Sequence, residues 1–163
     1  MKFDIRPALV SDAEQIAAIQ VKCWQERLSA WAPDWFVKQF KQQAQASKYA
    51  ERIASNVYGV LVAEQNEQIL GFSAIKPNLT DVPEYPYQIA ALYVDPLVER
   101  QGIGKALLQE TLQLTDDGKM IVWTFRDNTS SRKLYEACGG KLLPYTQSSE
   151  MDLDIPHVSY GWP

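Results

Sequence analysis

The sequence predicts an α/β fold of the α+β type, with about seven strands and about four helices. Three observations carry this reading. Short runs rich in β-branched and aromatic residues recur along the chain, each of strand length. Between several of them stand longer stretches whose apolar residues repeat at helical spacing. The 163 residues suffice for one domain with a real core but not for two comfortable ones, so residues 1–163 read as a single domain.

Taken in order, Phe3 and Ile5 alternate with Asp4 and Arg6, a half-buried strand that Pro7 ends. Ser11 followed three residues later by Glu14 forms a capping box, and Ile16, Ile19 and Cys23 continue a helix over residues 11–29. Trp24, Trp31, Trp35 and Phe36 crowd around Pro33, either as packing between two helices or as a wall of a small-molecule pocket. A second helical region covers residues 34–55, polar enough to be largely exposed, with a break expected around residues 45–47. Residues 57–63 and 69–75 are two strands joined by a link of hairpin length. A proline-rich loop over residues 76–87 carries Asp81, Glu84, Tyr85 and Tyr87. The apolar run over residues 88–94 is a buried strand, stopped by Pro96. Ile103, Leu107, Leu108 and Leu112 then place a helix starting near Gly102. Residues 120–125 form another buried strand, and a cap-rich turn around Asn128 opens a helix carrying Leu134, Tyr135 and Cys138, ended by Gly139 and Gly140. Residues 142–143 and 155–160 close the sheet.

Composition narrows the functional classes. The formal charge is −4 and the pI about 5.0, which argues against nucleic acid as the main partner. Two distant cysteines and a single histidine offer no ligand spacing for a structural metal. Free thiols, no apolar run of signal length and nothing near the ~20 apolar residues of a membrane span point to a cytoplasmic protein that uses no membrane.

The chain is organised around its strand, glycine turn and helix between residues 88 and 114. A helix's first turn presents free backbone N–H groups and about half a positive charge. Gly102 and Gly104 let an anion approach that backbone, and Arg100 and Lys105 add mobile cations. This reads as a cradle for phosphate or pyrophosphate. The phosphate-loop NTPase pattern fails, because Glu99 and Ala106 stand where it needs glycine and a hydroxyl residue. The dinucleotide fingerprint fails at Leu107.

With these elements in place, the chain resembles the GCN5-related N-acetyltransferase (GNAT) superfamily over nearly its whole length. The family's acyl-coenzyme A pattern, Gln/Arg-x-x-Gly-x-Gly/Ala, is matched by Glu99-Arg100-Gln101-Gly102-Ile103-Gly104. Its second motif is matched by Asn128, Ser131, Leu134, Tyr135, Glu136 and Gly139, about 25 residues further on. The resemblance implies a mixed, twisted central sheet splayed between the strands ending near Val94 and Phe125, with acetyl-coenzyme A in the gap. It implies that Arg100, Gln101, Gly102, Ile103, Gly104 and Lys105 hold the pyrophosphate. Leu92 and Val94 are expected to pair their backbone with the pantetheine arm, and Asn128 and Ser131 to line the cofactor's other side. Tyr135 is expected to protonate the departing thiolate. Direct transfer to a primary amine of a small molecule or peptide follows, without a metal, and homodimerisation stays open.

Two residues depart from the family's pattern. Gln88 stands where many relatives carry glutamate, which leaves the base unidentified; Asp81, Glu84 or a water on Tyr93 are the candidates. A base matters, because a lysine-like amine is neutral only about once in ~2,500 at pH 7. Glu99 replaces Gln or Arg and is expected to point away from the phosphates or pair with Arg100. Two rival readings follow: a non-catalytic acyl-coenzyme A-binding module on the same fold, and a nucleotide-dependent enzyme.

Overall fold

The computed structural model describes residues 1–57, 59–79, 82–146 and 155–163. Within them, seven strands form one sheet: β1 (Asp4–Pro7), β2 (Gly59–Gln65), β3 (Gln68–Pro77), β4 (Tyr87–Val94), β5 (Met120–Phe125), β6 (Lys141–Leu143) and β7 (His157–Trp162). Their order is β1-β2-β3-β4-β5-β7-β6, antiparallel throughout except for the parallel pair β4–β5. Five helices flank it: α1 (Ala13–Glu26), α2 (Asp34–Lys38), α3 (Gln42–Ser55), α4 (Ile103–Leu112) and α5 (Thr129–Ala137).

The central strands are buried on both faces, and their alternation assigns the layers. In β2, Val60 and Val62 pack with Ile16, Ile19 and Cys23 of α1 and Tyr49 of α3. Its other face turns Leu61 and Ala63 toward Ile103 and Leu107 of α4. Tyr135 of α5 packs with Leu108 of α4, Tyr160 and Trp162, so α4 and α5 share the second face. A buried hydroxyl pair, Ser73 with Thr111 at 2.6 Å, ties β3 to α4, and Thr111 also donates to the Leu107 carbonyl at 2.6 Å.

Several local expectations are corrected. The capping box expected from Ser11 and Glu14 is not the one formed: a short 3-10 turn (Val10–Asp12) precedes α1, the cap position of α1 is Asp12 with no side-chain bond into the helix, and Asp12 instead accepts from the Leu9 N–H at 2.7 Å. Asp12 is then committed to Arg6, which donates to it at 2.8 Å and to Glu64 at 2.6 Å. Burial works against the Asp12 carboxylate, but the bonds from Arg6 and Leu9 outweigh it and hold its pKa down. The predicted second helix is two helices, broken at residues 39–41 and not 45–47. The aromatic demand decides that break: Phe40 must leave helical register to stack on Trp24 at 4.8 Å. Although α3 is mostly exposed, Tyr49 is fully buried against Phe72. The last strand runs two residues later than expected, because β5 sets its register from Phe125↔His157 to Met120↔Trp162. Between β2 and β3, Asn66 and Glu67 both adopt positive φ (52° and 64°), the left-handed pair that a two-residue hairpin requires.

Candidate active site

Strands β4 and β5 pair only at Tyr87↔Met120, Gln88↔Ile121 and Ile89↔Val122, and beyond these they part. The split leaves one edge of β4 without a neighbouring strand. The Asp95 N–H donates to the Leu70 carbonyl at 2.8 Å, so Tyr93 bonds toward β3. By the alternation of an antiparallel ladder, Leu92 and Val94 turn their backbone groups into the gap. One of these groups already has a partner: the Val94 carbonyl accepts from the Cys23 thiol at 3.2 Å.

The gap opens into a cleft of about 540 Å³. Its floor is the turn into α4. Arg100 (φ 63°) and Gly102 (φ 84°) both lie in the left-handed region, which aims successive backbone N–H groups the same way. A Cβ on Gly102 would meet nothing within 4 Å, yet its φ makes any side chain there strained. Gly104 differs from expectation. A Cβ there would meet Leu134 at 3.5 Å and Val94 at 3.6 Å, ordinary contact distances, so the helix-to-strand packing would accept alanine and does not itself demand glycine. No side chain caps α4, whereas Asn128 caps α5 by accepting from the Ser131 N–H at 3.3 Å.

Of the residues that the sequence singles out, Leu92, Val94, Arg100, Gly102, Ile103, Gly104, Lys105, Asn128, Ser131 and Tyr135 all line this cleft. Ile103 does so while its side chain is buried among Leu61, Leu70 and Leu107, leaving its backbone for the cleft. Gln101 is exposed and stands outside the lining. The cleft also takes Cys23, Arg27, Leu28 and Trp31 from α1 and the turn after it, residues that the two motifs contain no hint of. The aromatic spacing of Trp24, Trp31, Trp35 and Phe36 was the available signal, and its two readings divide. Trp31 lines the cleft, Trp24 lines a rear chamber of about 220 Å³ that shares Tyr93, Asn128, Ser131 and Tyr135 with the cleft, Phe36 packs against Trp24 at 5.2 Å, and Trp35 is exposed.

Glu99 pairs with Arg27 and not with Arg100, accepting from its guanidinium at 2.7 and 3.3 Å. Lys22 likewise fastens α1 to the end of β4, donating to Asp95 at 2.8 Å. Burial pushes the Cys23 thiol up to about 12, with Glu99 and Asp95 adding to the effect, so it is protonated at neutral pH. Tyr135 is buried against Tyr160 and Trp162, and that burial pushes its phenol up to about 12 while a hydrogen bond from Ser131 pulls the other way.

The candidates for a base fare differently. Glu84 is exposed, accepts from the Tyr145 hydroxyl at 3.4 Å and does not line the cleft. Asp81 lies outside the described residues. Gln88 is buried and lines the rear chamber, as does Tyr93, whose hydroxyl burial pushes far up.

Comparison with known proteins places this geometry. The sequence profile described as "Acetyltransferase (GNAT) family" matches residues 16–140. An uncharacterized N-acetyltransferase, YuaI of Bacillus subtilis, is 24% identical over 98% of this chain and 92% of its own length. A probable N-acetyltransferase of Mycobacterium tuberculosis is 25% identical over 96% of this chain and 91% of its own. Among solved structures, the PaiA N-acetyltransferase of Thermoplasma acidophilum in complex with coenzyme A superposes with a TM-score of 0.76 at 18% identity, covering 99% and 100% of the two chains. YncA of Salmonella typhimurium, a putative acetyltransferase with acetyl-coenzyme A, gives 0.74 at 19% identity, covering 98% and 91%. The parted parallel strands, the glycine turn and the matched profile converge on one conclusion: the chain belongs to the GNAT family of N-acetyltransferases.

Proposed function

We propose that the protein transfers an acetyl group directly from acetyl-coenzyme A to a primary amine of a small molecule or peptide. The observation that carries the reading is the conjunction at the splay of an open β4 edge with the uncapped first turn of α4. Acetyl-coenzyme A needs both: its amide-bearing arm wants strand-like partners, and its diphosphate wants convergent N–H donors. Leu92 and Val94 supply the first, Arg100 and residues 102–105 the second, with Asn128 and Ser131 opposite. The Cys23 thiol uses one of the two lone pairs of the Val94 carbonyl, which leaves that oxygen a second acceptor site for the arm beside the Val94 N–H.

When bound, the cofactor supplies an activated acyl group on a thiol that leaves once an amine attacks. Tyr135 protonates that sulfur. A phenol near 12 against a thiol near ~8.5 makes the transfer uphill by about 5 kcal/mol in isolation. The burial that raises the phenol also raises the sulfur's proton affinity, so the real difference is smaller. The protonated Cys23 thiol makes a poor acyl carrier, which supports direct transfer. The Glu99 carboxylate is neutralised by Arg27, so its place beside the diphosphate site is not prohibitive. Residues 1–163 act as a single domain, since the one sheet takes its first strand from Asp4–Pro7 and its last from His157–Trp162. Two unpaired thiols fit the reducing cytoplasm, and no described helix is long and apolar enough to cross a membrane.

The test is thiol release from acetyl-coenzyme A across a panel of amines, alongside thermal protection by coenzyme A, ATP and NAD. Acceptor-dependent release with protection by coenzyme A alone is expected. Protection without release would favour a non-catalytic module, and protection only by ATP or NAD would refute the cradle's assignment.

A further inference from the structure

The last turn of α1 lies along the segment that leads from β4 into the glycine turn. Cys23 donates to the Val94 carbonyl at 3.2 Å and Lys22 to Asp95 at 2.8 Å. One turn beyond Cys23, Arg27 occupies the C-terminal cap of α1, its N–H on the Cys23 carbonyl at 2.9 Å. Its guanidinium reaches Glu99, the residue before the left-handed Arg100. Arg27 and Glu99 both line the cleft of about 540 Å³ together with Arg100, Gly102 and Lys105, whereas Lys22 stands outside the lining. We propose that Arg27 is a cofactor-binding residue, donating to the diphosphate of coenzyme A while it stays paired with Glu99. This rests on the acetyltransfer reading above.

The pairing leaves half of the guanidinium unused. Glu99 takes the Nε–H at 3.3 Å and one Nη2–H at 2.7 Å, which occupies the side edge of the group. A guanidinium carries five N–H donors in one plane, so both on Nη1 and the second on Nη2 stay open along the end edge. No other described residue accepts them, and the side chain is half-exposed. That end edge presents two parallel N–H groups, the arrangement that grips a phosphate in a bidentate manner. Arg27 can therefore serve the carboxylate and a phosphate at once, which a lysine, a single point charge, does less well.

The charge at residue 99 gives this bridge its purpose. Glu99 stands where the family's pattern carries Gln or Arg, so a donor side chain is missing there and a repelling carboxylate is present. A cation that only cancelled the carboxylate would leave the position one donor short. A bridging guanidinium cancels the charge and restores the donor, delivered from α1 in place of the turn itself.

The test is calorimetry of the full chain with coenzyme A and with dephospho-coenzyme A, which keeps the diphosphate and lacks the 3′-phosphate. Arg27→Gln should weaken coenzyme A binding about 30-fold, with the melting temperature within about 2 °C of the wild type because the pair is half-exposed. In a Glu99→Ala background, residue 99 offers Arg27 neither charge nor acceptor, so any further loss belongs to the ligand. There Arg27→Gln should still cost about 10-fold, the ordinary worth of a charge-assisted bond, and Arg27→Lys about 3-fold. The same losses are expected with dephospho-coenzyme A. No loss in the Glu99→Ala background would mean that Arg27 only neutralises Glu99, and a loss confined to coenzyme A would put the guanidinium on the 3′-phosphate; either result overturns the assignment. A wild type that binds neither ligand would overturn the acetyltransfer reading and this assignment with it, a failure seen before any substitution is made.

Discussion

Two helices begin at the mouth of the same cleft, each following one of the two parted parallel strands, and they treat their first turns differently. In α5 the chain closes its own end, because Asn128 accepts from the Ser131 N–H. In α4 a left-handed Gly102 stands at the cap position and no side chain closes the turn. Folding alone favours the first solution, by about 1 kcal/mol for a good cap. Forgoing it at α4 leaves donors and a partial positive charge facing a cavity of about 540 Å³. One helix start is built for stability and the other is left for an anion.

That contrast can be broken at either end. The largest effect is expected from Gly104→Asp, which puts a carboxylate in the first turn of α4 between Leu134 and Val94. Its carboxylate loses water against those two apolar side chains, so the melting temperature should fall by a few degrees while coenzyme A affinity drops about 100-fold or more. Calorimetry reads both, and normal affinity would contradict the cradle. Tyr135→Phe keeps the ring that packs on Tyr160 and Trp162 and removes only the acid. Turnover should fall about 100-fold with coenzyme A affinity within about 3-fold, in steady-state and binding assays. At the closed helix, Asn128→Ala should cost about 1 kcal/mol, seen as a melting temperature lower by about 2–4 °C. An unchanged melting temperature in Asn128→Ala would erase the contrast. The smallest effect belongs to Glu99→Gln: its pair with Arg27 is half-exposed, so stability should move by no more than about 0.5 kcal/mol. Coenzyme A affinity should rise by up to about 3-fold, since a carboxylate beside the anion is gone.

Much of the fold was legible because its signals are local. Alternation in residues 60–63 and the glycine turn at 102 each need only a few neighbours to be read. The left-handed pair at Asn66 and Glu67 fits the same pattern. A break in the second helical region was legible but not its position, because Phe40 answers to Trp24, sixteen residues away, and not to its own helix. The cap on α1 escaped because Asp12 is claimed by Arg6 and the Leu9 N–H, a geometry that only the turn between them creates. In the cleft, the motif residues were found by their spacing. Trp31 was found as one reading of the aromatic cluster, whereas Arg27 and Cys23 were not, since no local pattern marks which part of α1 packs beside the cleft.

The sequence by itself determined which strand leads into which helix, and that one glycine-bearing turn would present main-chain donors. These are matters of chain geometry over a few residues. Tertiary structure alone decided that β4 and β5 part after three residue pairs and that Glu99 meets Arg27. It also decided that His157 is buried against Phe125, across the register of the last two long strands. Those facts depend on burial and on partners remote in sequence, and neither is defined until the sheet has closed around them.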